Sequence, residues 1–174
     1  MSDGASPRER YSAQQIARRV AEIATQIRGD AGADAEIHLL GILKGAACFL
    51  ADLMRAIPGP VRYDFIDVIR DISDTEIAEA LEIDFLSHFE MAGKRIYLLK
   101  DVVTTGVIEN YLLTQIRQKD PADLKLVALL DRPTYRTVEI GVDYRAFQVD
   151  EGSFAGYGLE VGGRWANLPY IGVL

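Results

Sequence analysis

Two short stretches of this 174-residue chain carry the residues best suited to chemistry. The first, KDVVTTG (residues 100–106), joins the apolar run IYLL to the helix-like stretch VIENYLLTQIRQK. The hydroxyls of Thr104 and Thr105, with the amides that lead past Gly106 into the helix, can ring a monophosphate. The second, ILKGAA (42–47), offers Lys44 as a point charge and Gly45 as a place where backbone can approach an anion closely. Each has a plain alternative, an ordinary strand-to-helix turn that holds nothing. Acids are few in the first stretch: Asp101 alone, with Lys100 before it and two threonines after.

The elements around these turns read as an α/β alternation. Ser12 is a plausible N-cap for a helix to about Arg28, because Ile16, Val20, Ile23 and Ile27 recur at helical spacing. The first ten or so residues read as a disordered lead-in. EIHLLGI (36–42) has strand length and is followed by the helix AACFLADLMRAI, which PGP (58–60) stops. VRYDFIDVI (61–69), ALEIDFL (80–86), RIYLLKD (95–101), LKLVALLD (124–131) and TVEIGVDYRAF (137–147) read as further strands. A helix from about Val107 to Lys119 separates two of them, and RDISDTEIAEA (70–80) is a loop or a short helix. The order favours one domain built on a parallel sheet with helices on its faces, and ligands in such sheets collect at the carboxyl ends of the strands.

Composition narrows the classes. Nineteen basic against 26 acidic side chains give a net charge of −7, which argues against a broad nucleic-acid-binding face while leaving room for a local basic pocket. No apolar run approaches the roughly 20 residues that span a bilayer, so no membrane role is expected, and the polar start MSDGASPRERYS lacks the apolar segment of a signal peptide. The expected location is the cytoplasm. A single cysteine, Cys48, excludes an intrachain disulfide, and its helix position suggests an inward, inert thiol. His38 and His88 lack the spacing of a zinc site. Trp165 reads as a packing residue or one that closes over a base, and DTEIAEALEID as a solvated face or a docking surface.

Taken together these stretches resemble the hypoxanthine-guanine phosphoribosyltransferase family. YSAQQIARRVAEIATQI resembles its opening helix, GILKGAACFLADLMRAI its pyrophosphate loop and the helix after it, and VALLDRPTYR, VDYRAF, GYGLE and NLPYIGVL follow in family order through the C-terminus. The resemblance implies a type I phosphoribosyltransferase fold, a parallel sheet flanked by helices with a small hood from the termini (about 132–174 with the N-terminal region). It implies phosphoribosyl pyrophosphate, magnesium and a 6-oxopurine or nucleoside monophosphate as ligands, and a homodimer or homotetramer. By the same resemblance Leu43, Lys44 and Gly45 fall on the pyrophosphate loop, often held through a non-proline cis peptide, and Thr104, Thr105 and Gly106 on the 5′-phosphate loop. Asp101 is the second acid of the pair that holds the ribose hydroxyls. Arg132 stands for the lysine that bonds the purine O6, Phe154 neighbours the stacking position held here by Ser153, and Glu160 replaces an aspartate that binds magnesium.

The chain departs from the family at several functional positions. Lys100 replaces the first acid of the pair, Thr104 the aspartate near the purine N7 that acts as base, Ile108 a threonine of the phosphate loop, and Ala166 an arginine that reaches pyrophosphate, with Arg164 nearby. The segment VIRDISDTEIAEALEI lacks the Ser-Tyr pair of the family's lid. An ion pair between Lys100 and Asp101, which would compete with ligand for the carboxylate, is the alternative structural role. Two readings follow: a purine salvage enzyme that transfers phosphoribosyl to a 6-oxopurine, and a non-catalytic nucleotide- or phosphate-binding relative acting as sensor or partner subunit.

Overall fold

A computed structural model describes residues 6–67 and 90–174. The expected strand ALEIDFL, the segment RDISDTEIAEA and His88 lie outside the described residues. Arg8–Tyr11 is a strand (β1), so the lead-in expected through residue 10 ends earlier: those residues pair antiparallel with Ile171–Val173 (β8) at the far end of the chain. Ser12 then caps a helix, Ala13–Ala31 (α1), in a reciprocal capping box with Gln15. The helix outruns the expected stop near Arg28 by three residues and ends at Gly32, whose positive φ of 91° suits glycine. Its buried face includes Ile16, Val20, Ile23 and Ile27, the spacing read from the sequence.

Ile37–Ile42 (β2) is buried throughout, as a central parallel strand requires. The helix Ala47–Ala56 (α2) follows, then Val61–Ile66 (β3), Arg95–Val103 (β4), the helix Val107–Arg117 (α3), Asp123–Asp131 (β5), a 3₁₀ turn at Pro133–Tyr135, Tyr144–Gln148 (β6) and Phe154–Ala155 (β7). The main sheet has the order β3-β2-β4-β5-β6, and every pairing in it is parallel. A small antiparallel sheet, β1-β8-β7, joins the two ends of the chain and is the expected hood. The family-like fold is therefore present in both its parts.

Strand alternation divides the core between the faces. Leu39, Tyr97 and Leu99 pack with α1 and α2, while Leu40, Ile96 and Leu98 pack with α3. The strand expected over 137–147 is shorter and later than its apolar content suggested. Asp143 accounts for this: its backbone N–H donates to Leu126 O (2.9 Å) and its carboxylate accepts from Leu126 N (2.8 Å), so pairing with β5 starts only at Tyr144. Ile140 and Val142 instead pack against the α3 side of the core.

Candidate functional site

The turns after β2, β4 and β5 all lie at the carboxyl edge of the sheet, and they carry the residues singled out in the sequence. Lys44, Gly45, Asp101, Phe154 and Glu160 line one cavity of about 260 Å³, with Val102 in its wall. These residues come from three distant parts of the chain. Phe154 arrives on the hood strand β7, and Glu160 on the glycine-rich stretch after it. Leu43 does not line the cavity; its peptide bond to Lys44 is cis, and its N–H donates to Ile66 O at 2.8 Å.

Gly45 is fixed by contact. A Cβ there would lie 1.8 Å from Asp101 Oδ2 and 2.9 Å from Asp101 Cβ. The turn after β2 thus lies directly against the carboxylate at the end of β4, and only a residue without a side chain permits it. Gly45→Ala is expected to expel the Asp101 carboxylate from its place, lowering affinity for an anionic ligand of the cavity by at least about 10-fold and stability by about 1–3 kcal/mol. Titration calorimetry and thermal melts check both numbers.

Both acids in the cavity have a lysine. Lys100 Nζ lies 2.7 Å from Asp101 Oδ1, with each side chain only 19% exposed. The alternative role raised for this pair is thus what the structure contains. Asp101 Oδ1 makes no hydrogen bond of good angle, so the contact is one of charge. Lys44 Nζ lies 3.4 Å from Glu160 Oε1, but at 82% and 44% exposure this is a solvated pair of small worth. Among the described residues no three His, Cys, Asp or Glu side chains gather as a metal-binding group.

Thr104, Thr105 and Gly106 form the adjoining turn rather than the cavity wall. Gly106 is the N-cap of α3 with a φ of 83° and no side chain to cap it, and the first helical amide, that of Val107, donates weakly to Thr105 Oγ1 at 3.5 Å, a bond an anion at this helix start can replace. Two neighbours hold this turn in shape. Arg136 donates to Thr104 O (2.7 Å), and the Thr137 N–H donates to Thr105 O (3.0 Å). The Arg136 guanidinium also pairs with Asp131, a carboxylate only 2% exposed, whose other oxygen accepts from Arg145 Nη1 at 2.7 Å.

Arg132 follows β5 but does not line the cavity. Its Nε–H donates to Asp150 O at 3.0 Å, and its guanidinium lies 4.2 Å from the centre of the Tyr135 ring. Arg164 is exposed, on a short bridge with Val161. Cys48, expected inward, is exposed: Phe49, Leu50 and Leu53 supply the buried face of α2, and the thiol lies on its other side, beside Gly158. Burial and the Asp52 carboxylate both push the thiol up, away from thiolate character.

Sequence reading missed Asp131, Arg136 and Glu109. The signal for the first two is an acid closing the apolar run LKLVALLD, since a buried carboxylate requires a cation nearby. Glu109, in the first turn of α3, is buried, and that burial pushes its carboxyl up against the pull of Lys100 and Arg136. A raised carboxyl binds its proton more tightly in the folded chain. Its contribution is therefore intact below the ordinary value of 4.5 and lost as pH rises through the folded-state value. Glu109→Gln should accordingly stabilise the protein at pH 8 by about 1 kcal/mol, with the gain shrinking toward pH 4 in a series of thermal melts.

Against this geometry the comparisons are direct. The pattern of the phosphoribosyl transferase domain matches residues 8–161. The hypoxanthine-guanine phosphoribosyltransferase of Bacillus subtilis is 32% identical over 94% of this chain and 90% of its own length. That of Mycobacterium avium is 32% identical over 94% of this chain and 83% of its own. The crystal structure of a Bacillus anthracis hypoxanthine-guanine phosphoribosyltransferase superposes with a TM-score of 0.83 at 28% identity, covering 98% of each chain. The hypoxanthine phosphoribosyltransferase of Trypanosoma cruzi gives 0.82 at 29%, covering 97% of each. The parallel five-stranded sheet flanked by helices, with a small sheet that joins the two ends of the chain, is the fold of the type I phosphoribosyltransferase class. Within that class, the chain belongs to the hypoxanthine-guanine phosphoribosyltransferase family.

Proposed function

We propose that the protein is a purine salvage phosphoribosyltransferase, which transfers the phosphoribosyl group of phosphoribosyl pyrophosphate to a 6-oxopurine such as hypoxanthine or guanine. The observation that carries this reading is the single cavity lined by Lys44, Gly45, Asp101, Phe154 and Glu160. Family membership across nearly the whole chain favours it over a non-catalytic role. In the reaction the bond from C1 of the ribose to pyrophosphate breaks, a bond from C1 to the purine nitrogen forms, and the purine loses a proton.

Each residue has a part in this reading. The amides of Thr105, Gly106 and the start of α3 hold the 5′-phosphate. Asp101 accepts hydrogen bonds from the ribose hydroxyls, and the Leu43–Lys44–Gly45 backbone with the Lys44 ammonium receives the pyrophosphate as its charge develops. Phe154 offers a face for the purine, and Arg132 can donate to O6 once it releases Asp150 O. Thr104 has no carboxylate to take the purine proton, which then passes to solvent, so turnover is slow. A cytoplasmic location and a homodimer or homotetramer belong to the same reading.

Magnesium, which the family uses, finds a mixed welcome. Glu160 is exposed and could hold a metal by its carboxylate, but it already faces the Lys44 ammonium at 3.4 Å, so a metal arriving with pyrophosphate would have to displace a cation there. At Asp101 the residues do not fit a divalent cation, because the Lys100 ammonium already sits against the carboxylate.

Nucleotide titrations test the purine assignment. Inosine and guanosine monophosphates should bind at least about 10-fold more tightly than adenosine monophosphate, and Phe154→Ala should weaken all three. Equal affinity for the 6-oxo and 6-amino nucleotides, or no binding of any, would remove the 6-oxopurine from the reading.

A further inference from the structure

We infer that Lys100 is the resident cation of the ribose side of this site, so that phosphoribosyl pyrophosphate is held there without a divalent metal. The inference rests on the phosphoribosyltransferase reading and goes beyond it by replacing a dissociable cofactor with a side chain. Three observations carry it. The Lys100 ammonium lies 2.7 Å from the buried Asp101 Oδ1, behind the cavity wall that Asp101 forms, where both side chains are 19% exposed and solvent screening is reduced. Asp101 Oδ2 is held against Gly45, in the turn that receives pyrophosphate, so the carboxylate that Lys100 neutralises through its other oxygen stands beside that turn. Lys100 also acts electrostatically, with Arg136, on Glu109, buried in the first turn of α3.

An ammonium can do much of what a metal does at this place. It is a compact point charge with three N–H donors. Against Asp101 it supplies a fixed positive charge on the ribose side of the cavity, where a dissociable metal would otherwise be needed. Magnesium requires near-octahedral oxygen ligands at short range and keeps its waters reluctantly shed. A positive charge already bound to Asp101 removes both the ligand and the attraction. The second carboxylate of the cavity repeats the pattern, since Glu160 faces Lys44. Each acid at the site thus has its own lysine, and the ligand's anionic groups are met by two ammonium groups.

Calorimetric titration with phosphoribosyl pyrophosphate, in EDTA and in excess magnesium, tests this without relying on turnover. For the unaltered protein the two dissociation constants should agree within about 3-fold. Lys100→Gln should weaken binding in EDTA by about 10-fold to 100-fold, the loss of a positive charge beside Asp101 that otherwise leaves the carboxylate to repel the ligand. Lys100→Glu, if folded by its thermal melt, should bind only when magnesium is present. Binding of the unaltered protein that requires magnesium would overturn the inference. So would binding in EDTA that Lys100→Gln leaves unchanged. Failure to bind phosphoribosyl pyrophosphate in either buffer, while inosine monophosphate still binds, would overturn the inference and leave the nucleotide site standing; failure of both ligands would overturn both.

Discussion

Thr104→Asp is expected to raise kcat for phosphoribosyl transfer to hypoxanthine by about 10²-fold, the lower end of what a placed general base contributes. The position is prepared for it. The Thr104 carbonyl accepts a 2.7 Å hydrogen bond from Arg136, so the backbone that would aim the new carboxylate is already held. The same guanidinium, partly buried, would help keep that carboxylate ionised and able to take the purine proton. Thr104→Asn, similar in shape and uncharged, should leave kcat within about 3-fold, which separates proton transfer from packing. KM for phosphoribosyl pyrophosphate should change little in either variant. A folded Thr104→Asp protein with unchanged kcat would show that proton removal does not limit this reaction.

The largest stability effect is expected at Arg136. Its guanidinium pairs with Asp131 and donates to Thr104 O, so removing it leaves a buried carboxylate with Arg145 alone and a turn without its tether. Breaking a buried ion pair from one side costs about 3–5 kcal/mol. Because Arg145 remains, about 3 kcal/mol is expected for Arg136→Met, or a fall in Tm of about 6–12 °C for a chain of this size. Phosphate affinity should fall with it, since the Thr104–Thr105 turn loses its support. The double variant Arg136→Met, Asp131→Leu should recover part of the stability and none of the affinity. A loss no larger than the roughly 0.5 kcal/mol of an ordinary surface change would show that Arg145 and solvent suffice for Asp131.

Much of this architecture was legible in the sequence, and the reason is physical. Helical spacing of Ile16, Val20, Ile23 and Ile27 reports one buried face, and the all-apolar β2 reports a strand covered on both sides. Both are local patterns. The errors lie where a distant partner decides. Arg8–Tyr11 reads as polar lead-in because its pairing partner, β8, is 160 residues away in the chain. The strand read over 137–147 is cut short by a side chain, Asp143, that occupies a backbone position of the ladder. Cys48 occupies a helix whose inward side is already filled by Phe49, Leu50 and Leu53.

The candidate site divides in the same way. Lys44 and Gly45 announce themselves as turn residues after a strand and Asp101 as an acid near a strand's carboxyl end, and their meeting follows from the parallel order of β2 and β4. The pairing of Lys100 with the same carboxylate is one of the two roles open to it from sequence, but that Gly45 lies against Asp101 is a matter of ångströms that no spacing encodes. Asp131, Arg136 and Glu109 escaped notice because burial, not residue type, makes them consequential.

The measurement that bears most directly on the account is phosphoribosyl transfer itself, followed by absorbance with purified protein, phosphoribosyl pyrophosphate and hypoxanthine, guanine or xanthine in turn. Nucleoside monophosphate should form from hypoxanthine or guanine at a rate below the roughly 1–10³ s⁻¹ typical of enzymes, about the same with and without magnesium. No product from any of the three bases, from folded protein that Thr104→Asp fails to rescue, would contradict it.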